Sequence, residues 1–202
     1  MIVGITGALR AGKDTAAALL VREYDYIRLA WADQLRSEIT RTLRRTLKVL
    51  LTDYDRSRSS FVHGCVAADR VEEWWDKRIA RALTEKKPDC IRQLLQEWGT
   101  ELRRAEKDDY WLDAWYWEAE RRHTPDNQWR YVIPDTRFQN ECKMVRRMGG
   151  LLIQIIRPGY NGDGHLSERD LDTWTDYDLV VANTGTVEDL ENKLRNFMEG
   201  IK

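Results

Sequence analysis

Three cysteines, Cys65, Cys90 and Cys142, are too few and too irregularly spaced to hold a metal, and their odd number argues against a disulfide framework. They read as packing residues of a protein kept in a reducing cytoplasm. Long apolar runs are also missing: none approaches the length of a membrane span, and the chain enters its first strand at Ile2 with no signal-peptide pattern ahead of it. The expectation is a soluble protein that stays inside the cell and has no membrane partner. A charge excess is absent as well, since 33 basic residues meet 34 acidic ones, which argues against nucleic acid as a partner. A small phosphorylated ligand needs only a local cluster of positive charge. Histidine is scarce, and His63, His123 and His165 form no recognisable catalytic set. What remains is a chain of 202 residues, 42% hydrophobic, long enough to bury a core as one domain with a helical insert.

The most informative stretch is "MIVGITGALRAGKDTAAALL" at the amino end. Gly7, Gly12 and Lys13 follow the phosphate-cradling pattern G-x-x-x-x-G-K-[ST], except that Asp14 occupies the hydroxyl position and Thr15 comes one residue late. A β-branched run, Ile2 to Thr6, precedes the loop, and the helix formers Ala16 to Leu20 follow it. Strand, loop and helix in that order let backbone N–H groups converge on an anion at a helix amino terminus. Lys13 would then reach the β- and γ-phosphates. Asp14 replaces the usual hydroxyl with a carboxylate, itself a hard oxygen ligand for Mg²⁺. Direct coordination, contact through water, and a capping role with Thr15 taking over are three readings of that exchange.

Four more apolar runs have strand character: "YDYIRLA", "RYVIP" at Arg130 to Pro134, "LLIQII" at Leu151 to Ile156, and "DLVVA" at Asp178 to Ala182. Continuous runs separated by helical segments predict an α/β protein with a parallel sheet covered on both faces. Between the second and third runs lie roughly a hundred residues of helical pattern, far more than a crossover needs. Within them, Leu35, Ile39, Leu43, Leu47 and Leu50 fall on one helix face, and Arg41, Arg44, Arg45 and Lys48 on the opposite, solvated one. Arg36 projects inside the leucine stripe and must find a partner or a cleft. A second helix puts Ile91, Leu94, Leu95, Trp98 and Leu102 on its buried side, with Arg92, Gln96, Gly99 and Arg103 aligned beside them. Gly99 inside a helix points to close approach by another backbone or by a ligand. In "YWLDAWYWEAE", Trp111 and Trp115 share a face that reads as core or as a dimer surface.

At the end of the third strand run, "YVIPDTRFQNE" places Asp135 where such a sheet sets the carboxylate that helps hold Mg²⁺ or its water. Arg137 follows, able to grip a phosphate at two points. After the fourth run, "RPGYNGDGHLSERD" has the glycine and proline content of a mobile lid, carrying Arg157 and Arg169. Ser167 with Asp170, and Thr186 with Asp189, read as helix caps.

Taken in order, "GALRAGKDT", "ADQLR", "RQLLQEWGTEL", "DDYWLDAWYW", "YVIPDTRFQNE", "MGGLLIQIIRPG", "HLSE" and "DLVVANTGTVEDLENKL" make the chain resemble the bacteriophage deoxynucleoside monophosphate kinases. The likeness covers nearly the whole length, apart from Asp53 to Pro88, and the GKDT form of the loop is usual in that family. More distantly the chain is similar to phosphomevalonate kinase and dephospho-coenzyme A kinase. The resemblance implies a single three-layer P-loop kinase domain over 1–202, with a five-stranded parallel sheet. It also implies a long helical acceptor-binding insert at 33–122, between strands 2 and 3, and a short lid at 157–171, after strand 4. The implied reaction moves the γ-phosphate of ATP to a deoxynucleoside monophosphate, with Mg²⁺ as cofactor, in the cytoplasm of a host cell. Gly7, Ala11, Gly12, Lys13, Asp14, Thr15, Asn183 and Gly185 would bind ATP, the last two near the adenine. Asp14, Thr15 and Asp135 would serve the metal. Arg36, Arg92, Gln96, Gly99, Arg137 and Glu141 would meet the acceptor. Lys13, Asp135, Arg137 and Arg157 would act on the transferring group, and related phage enzymes suggest a homodimer. A kinase of another phosphorylated small molecule and a nucleotide-binding protein without transfer are the alternatives.

Overall fold

The β-branched runs form five parallel strands in one sheet, ordered β2-β3-β1-β4-β5, in a computed structural model that describes residues 1–57, 81, 89–124, 129–159 and 169–201. The strands are β1 (Ile2–Thr6), β2 (Ile27–Arg28), β3 (Tyr131–Ile133), β4 (Leu151–Ile156) and β5 (Leu179–Ala182). Each lies inside one of the apolar runs that predicted it. Register is set by Val3 opposite Val132 on one side of β1, and by Gly4 opposite Leu152 and Thr6 opposite Gln154 on the other.

The helices are α1 (Lys13–Tyr24), α2 (Trp31–Ser57), α3 (Asp89–Gln96), α4 (Tyr110–Arg122), α5 (Gln139–Arg147) and α6 (Val187–Gly200), with a π-helical stretch, Glu97–Arg104, continuing α3. Because successive strand residues face opposite ways, Val3, Ile5, Ile153 and Ile155 pack on Leu19 and Leu20 of α1 and Leu190 and Leu194 of α6. Ile2, Tyr131, Ile133 and Leu152 pack on Leu112, Trp115 and Ala119 of α4 and Cys142 and Val145 of α5. Trp115 is fully buried and donates its indole N–H to Leu29 O at 2.8 Å, so the face shared with Trp111 is core. Burial, with Glu141 next to it, pushes the Cys142 thiol up to about 12, which makes it an inert packing group.

The described chain divides into two compact units, Met1–Ala32 with Asp109–Lys202, and Asp33–Asp108. Helix α4, counted with the insert on sequence grounds, falls in the sheet unit. In the second unit, Leu35 and Ile39 are buried as expected, but Leu43 is exposed; the side chains of Leu47, Lys48 and Leu50 lie outside the described residues. The π-helical stretch changes the expected facing. A turn closed by i→i+5 bonds is wider than an α turn, so Leu102 rotates to 45% exposure and Arg104 is buried at 9%. Among the described residues no helix is long and apolar enough to cross a membrane.

Candidate active site

The loop after β1 has the shape its glycines dictate. Gly7 has φ 140°, and a Cβ there would collide with Ile155 O; Gly12 has φ 113°, and its Cβ would stand 2.8 Å from Asn183 Nδ2. Between them Ala11 is fully buried and Arg10 takes the left-handed conformation at φ 63°. Lys13 folds back along the loop and donates its ammonium to Gly7 O at 2.6 Å and Ala8 O at 2.7 Å. Asn183 holds the loop from beneath, donating Nδ2 to Ala11 O at 2.8 Å. Gly185 stands against the Asp189 carboxylate, where a Cβ would collide with Oδ2.

The helix starts fall into two kinds. At α1 the amino cap is Gly12, with no side-chain bond, and Asp14 is exposed in the first turn. The capping role for Asp14 is therefore not used, and the turn is open to an anion. Carboxylates close the starts of α2, α5 and α6, whereas α4 also begins without a side-chain cap among the described residues. Asp135 accepts from Trp31 N and Ala32 N, both at 2.9 Å, at the start of α2. Glu141, 2% exposed, accepts from Arg137 N at 2.7 Å and Phe138 N at 3.1 Å. Asp170 accepts from Gln139 N at 2.7 Å, which ties the segment before β5 to α5. At α6, Thr186 and Asp189 form the expected capping box. With the amides of residues 137–139 already engaged, an anion arriving beside α5 must be met by side chains, and Arg137 is the one at hand.

A cleft of about 630 Å³ lies at the carboxyl ends of β1, β3 and β4. Its lining combines Gly7 and Ala8 of the loop with Arg137, Thr6, Gln154 and Tyr177, and Leu171, Asp172 and Trp174 from the segment before β5 also border it. Sequence reasoning found Gly7 and Arg137 here and missed Thr6, Gln154, Trp174 and Tyr177. Thr6 and Gln154 become neighbours only through strand register, which no local pattern announces. The Tyr177 phenol faces the Thr6 hydroxyl; burial raises its pKa and that hydroxyl draws it back down. Neither oxygen reaches hydrogen-bond geometry with a partner among the described residues.

Arg157 donates to Arg10 O at 3.4 Å, so the residue that follows β4 touches the loop. His165, Ser167 and Glu168 lie outside the described residues. In the second unit, Arg36 finds Asp33 at 2.8 Å, while the Nε atoms of Arg36 and Arg92 are buried without a hydrogen-bond partner among the described residues. Such buried donors have forgone water and gain from an incoming acceptor. Gln96 is half-buried at the end of α3, and Gly99 is buried within the π-helical stretch. Arg103 is committed to Glu38 at 2.7 Å, and Trp98 donates to the same carboxylate.

A family model described as deoxynucleotide monophosphate kinase matches residues 37–194. The chain belongs to the deoxynucleotide monophosphate kinase family. A protein of Acanthamoeba polyphaga mimivirus that carries a deoxynucleotide monophosphate kinase designation is 27% identical over 206 residues, 96% of this chain and 94% of the relative. The deoxynucleotide monophosphate kinase of Enterobacteria phage T4 is 32% identical over 111 residues, 54% of this chain and 45% of that protein. Membership implies phosphoryl transfer with nucleotide substrates. The family match begins beyond the loop, so in this kinase the assignment of Gly7 to Thr15 stands on the loop's own geometry.

Proposed function

We propose that this family member transfers the γ-phosphate of ATP to a deoxynucleoside monophosphate, giving ADP and the deoxynucleoside diphosphate. The observation that carries the reading is the cleft lined by both the loop after β1 and Arg137. An oxygen of the acceptor's phosphate attacks the γ-phosphorus; the new P–O bond forms as the bond to the β,γ-bridging oxygen breaks and ADP leaves. That oxygen is largely ionised at neutral pH, because the second pKa of a phosphate is about 6, and no general base is needed. The work falls to alignment and charge. The open start of α1 and Lys13 hold the donor phosphates, with Asn183 and Gly185 behind the loop on the adenine side. Arg137 orients the acceptor phosphate, Arg157 adds charge from the lid, and Arg36, Arg92, Gln96 and Gly99 belong to the acceptor's insert.

Mg²⁺ suits the donor set present. It binds through one or two carboxylates while keeping waters and substrate phosphates as its other ligands, and Asp14 is exposed beside Thr15 at the loop. Asp135 supplies a second carboxylate, each oxygen of which already accepts one amide. When bound, the ion neutralises charge on the β- and γ-phosphates. Glu141, closed over Arg137 N and Phe138 N, supports Arg137 from behind. The reading includes a homodimer acting in the cytoplasm of the host cell.

Coupled ADP release measured across the common deoxynucleoside monophosphates tests the assignment. Turnover well above ATP hydrolysis alone, with at least one of them, is the expected result. Turnover confined to phosphomevalonate or dephospho-coenzyme A, or ATP binding without transfer to any acceptor, would overturn it.

A further inference from the structure

The cleft beside the loop contains a side chain with nothing to do. Gln154 sits at the carboxyl end of β4, half-buried, opposite Thr6 in register, and its carboxamide borders the cleft. Among the described residues its side chain makes no hydrogen bond or ion pair. A carboxamide offers one acceptor and two donors, and leaving them unmatched in a half-buried position is unfavourable. The other polar side chains around it are hydroxyls, a carboxylate and a cation. Thr6 and Tyr177 face each other, and Arg137 carries fixed charge. Trp174 lines the same cleft with its indole N–H held by Asp176 O at 3.0 Å, so its ring is a fixed apolar wall. A flat aromatic wall next to an unmatched carboxamide suits a nucleobase, which stacks on one and is read along its edge by the other.

Resting on the acceptor reading above, we propose that Gln154 and Trp174 form the base subsite for the acceptor nucleotide, with Gln154 reading the base edge. On the base edge that faces the major groove of a duplex, which is the edge we assign to Gln154, adenine and cytosine present an exocyclic amine, whereas guanine and thymine present a carbonyl. A carboxamide meets either by turning over, so the native site tolerates both classes. Gln154→Glu removes that choice, because a carboxylate only accepts. The experiment measures kcat and KM for dAMP, dCMP, dGMP and dTMP on wild type and on Gln154→Glu, with melting curves to verify folding. The ratio of amine-bearing to carbonyl-bearing kcat/KM should rise about tenfold or more, because a carboxylate facing a carbonyl leaves two acceptors unpaired. A purely structural role for Gln154 would change all four acceptors alike, and that result, or no change, overturns the inference. Gln154→Met provides a second reading if the charged variant does not fold: KM should rise for every acceptor with ATP binding intact, and wild-type KM values throughout would overturn the inference. Absence of turnover by the wild type with any acceptor would overturn the kinase reading itself. Wild-type turnover with an unchanged ratio in Gln154→Glu would overturn the base subsite alone.

Discussion

Lys13 shows how much one side chain can do when its surroundings are fixed. Its ammonium already lies along the loop, bonded to Gly7 O and Ala8 O, so it needs only to exchange carbonyl partners for phosphate oxygens. Lys13→Ala should therefore lower kcat by about 10²- to 10³-fold, the usual effect of removing one aimed donor to developing charge. The fold should survive, since each lost neutral-acceptor bond contributes only about 1 kcal/mol. ADP release and a melting curve on the same sample check both halves, and wild-type turnover would refute the loop's role. Arg137 makes the opposite test, on the acceptor side. Arg137→Lys keeps the charge and loses the planar two-point contact, so KM for the deoxynucleoside monophosphate should rise, kcat should fall, or both, through misalignment. ATP affinity should stay the same. Titrating each nucleotide separately decides this, and weakened ATP binding with normal acceptor binding would move Arg137 to the donor side.

At the scale of elements, the decisive features are the helix starts. α1 begins without a side-chain cap, while α2, α5 and α6 are closed by Asp135, by Glu141 with Asp170, and by Thr186 with Asp189. Of these four starts the open one follows the glycine loop; α4 also begins without a side-chain cap among the described residues, but no glycine loop precedes it. Asp135 adds a consequence that a metal role alone would not have. Asp135→Asn keeps one acceptor oxygen and turns an amine toward the other amide, so the start of α2 should lose about 1 kcal/mol. Thermal unfolding without nucleotide reads that loss, and an unchanged melting temperature would refute the cap. A rise in the Mg²⁺ needed for turnover would report the metal role separately. The cap was not legible in the sequence because its partner amides stand 104 and 103 residues away. The box at Thr186 and Asp189 was legible because it closes within one turn. The same locality explains the π-helical stretch. The apolar spacing from Ile91 to Leu102 fits an α-helix, and nothing in that spacing signals a wider turn, so Leu102 was expected inside and stands outside.

The whole molecule is organised by the place of β1, which has β3 and β2 on one side and β4 and β5 on the other. Its carboxyl end is where the strand order reverses, and there an open sheet leaves a crevice for ligands. The central strands β1 and β3 were legible because they are buried on both faces and must be unbroken apolar runs. The strand order was not, so Thr6, Gln154 and Tyr177 could not be assigned to one cleft. The two ends of the sheet unit's chain also meet, since α1 and α6 cover the same face and share an ion network. Arg195 donates to Glu23 Oε2 at 2.8 Å and Oε1 at 2.9 Å, while Arg22 bridges Glu23 at 2.8 Å and Glu191 at 3.0 Å. Hydrogen bonds from Arg195, then from Arg22, hold the Glu23 carboxyl at about 2, well below its ordinary 4.5. A carboxylate lowered in this way contributes stability that is fully present above 4.5 and disappears as the pH falls through about 2, where the folded form takes up the proton. Glu23→Gln removes the titration while keeping the size. The variant should melt below wild type at neutral pH, by a margin that high salt narrows because the network is exposed. As the pH is lowered from 4.5 toward 2 the two melting curves should converge, because wild-type Glu23 becomes as neutral as glutamine. Melting temperatures taken at neutral pH and through the acid range check the sign. A gap that stays constant across the range would show that the ion network does not tie the first helix to the last.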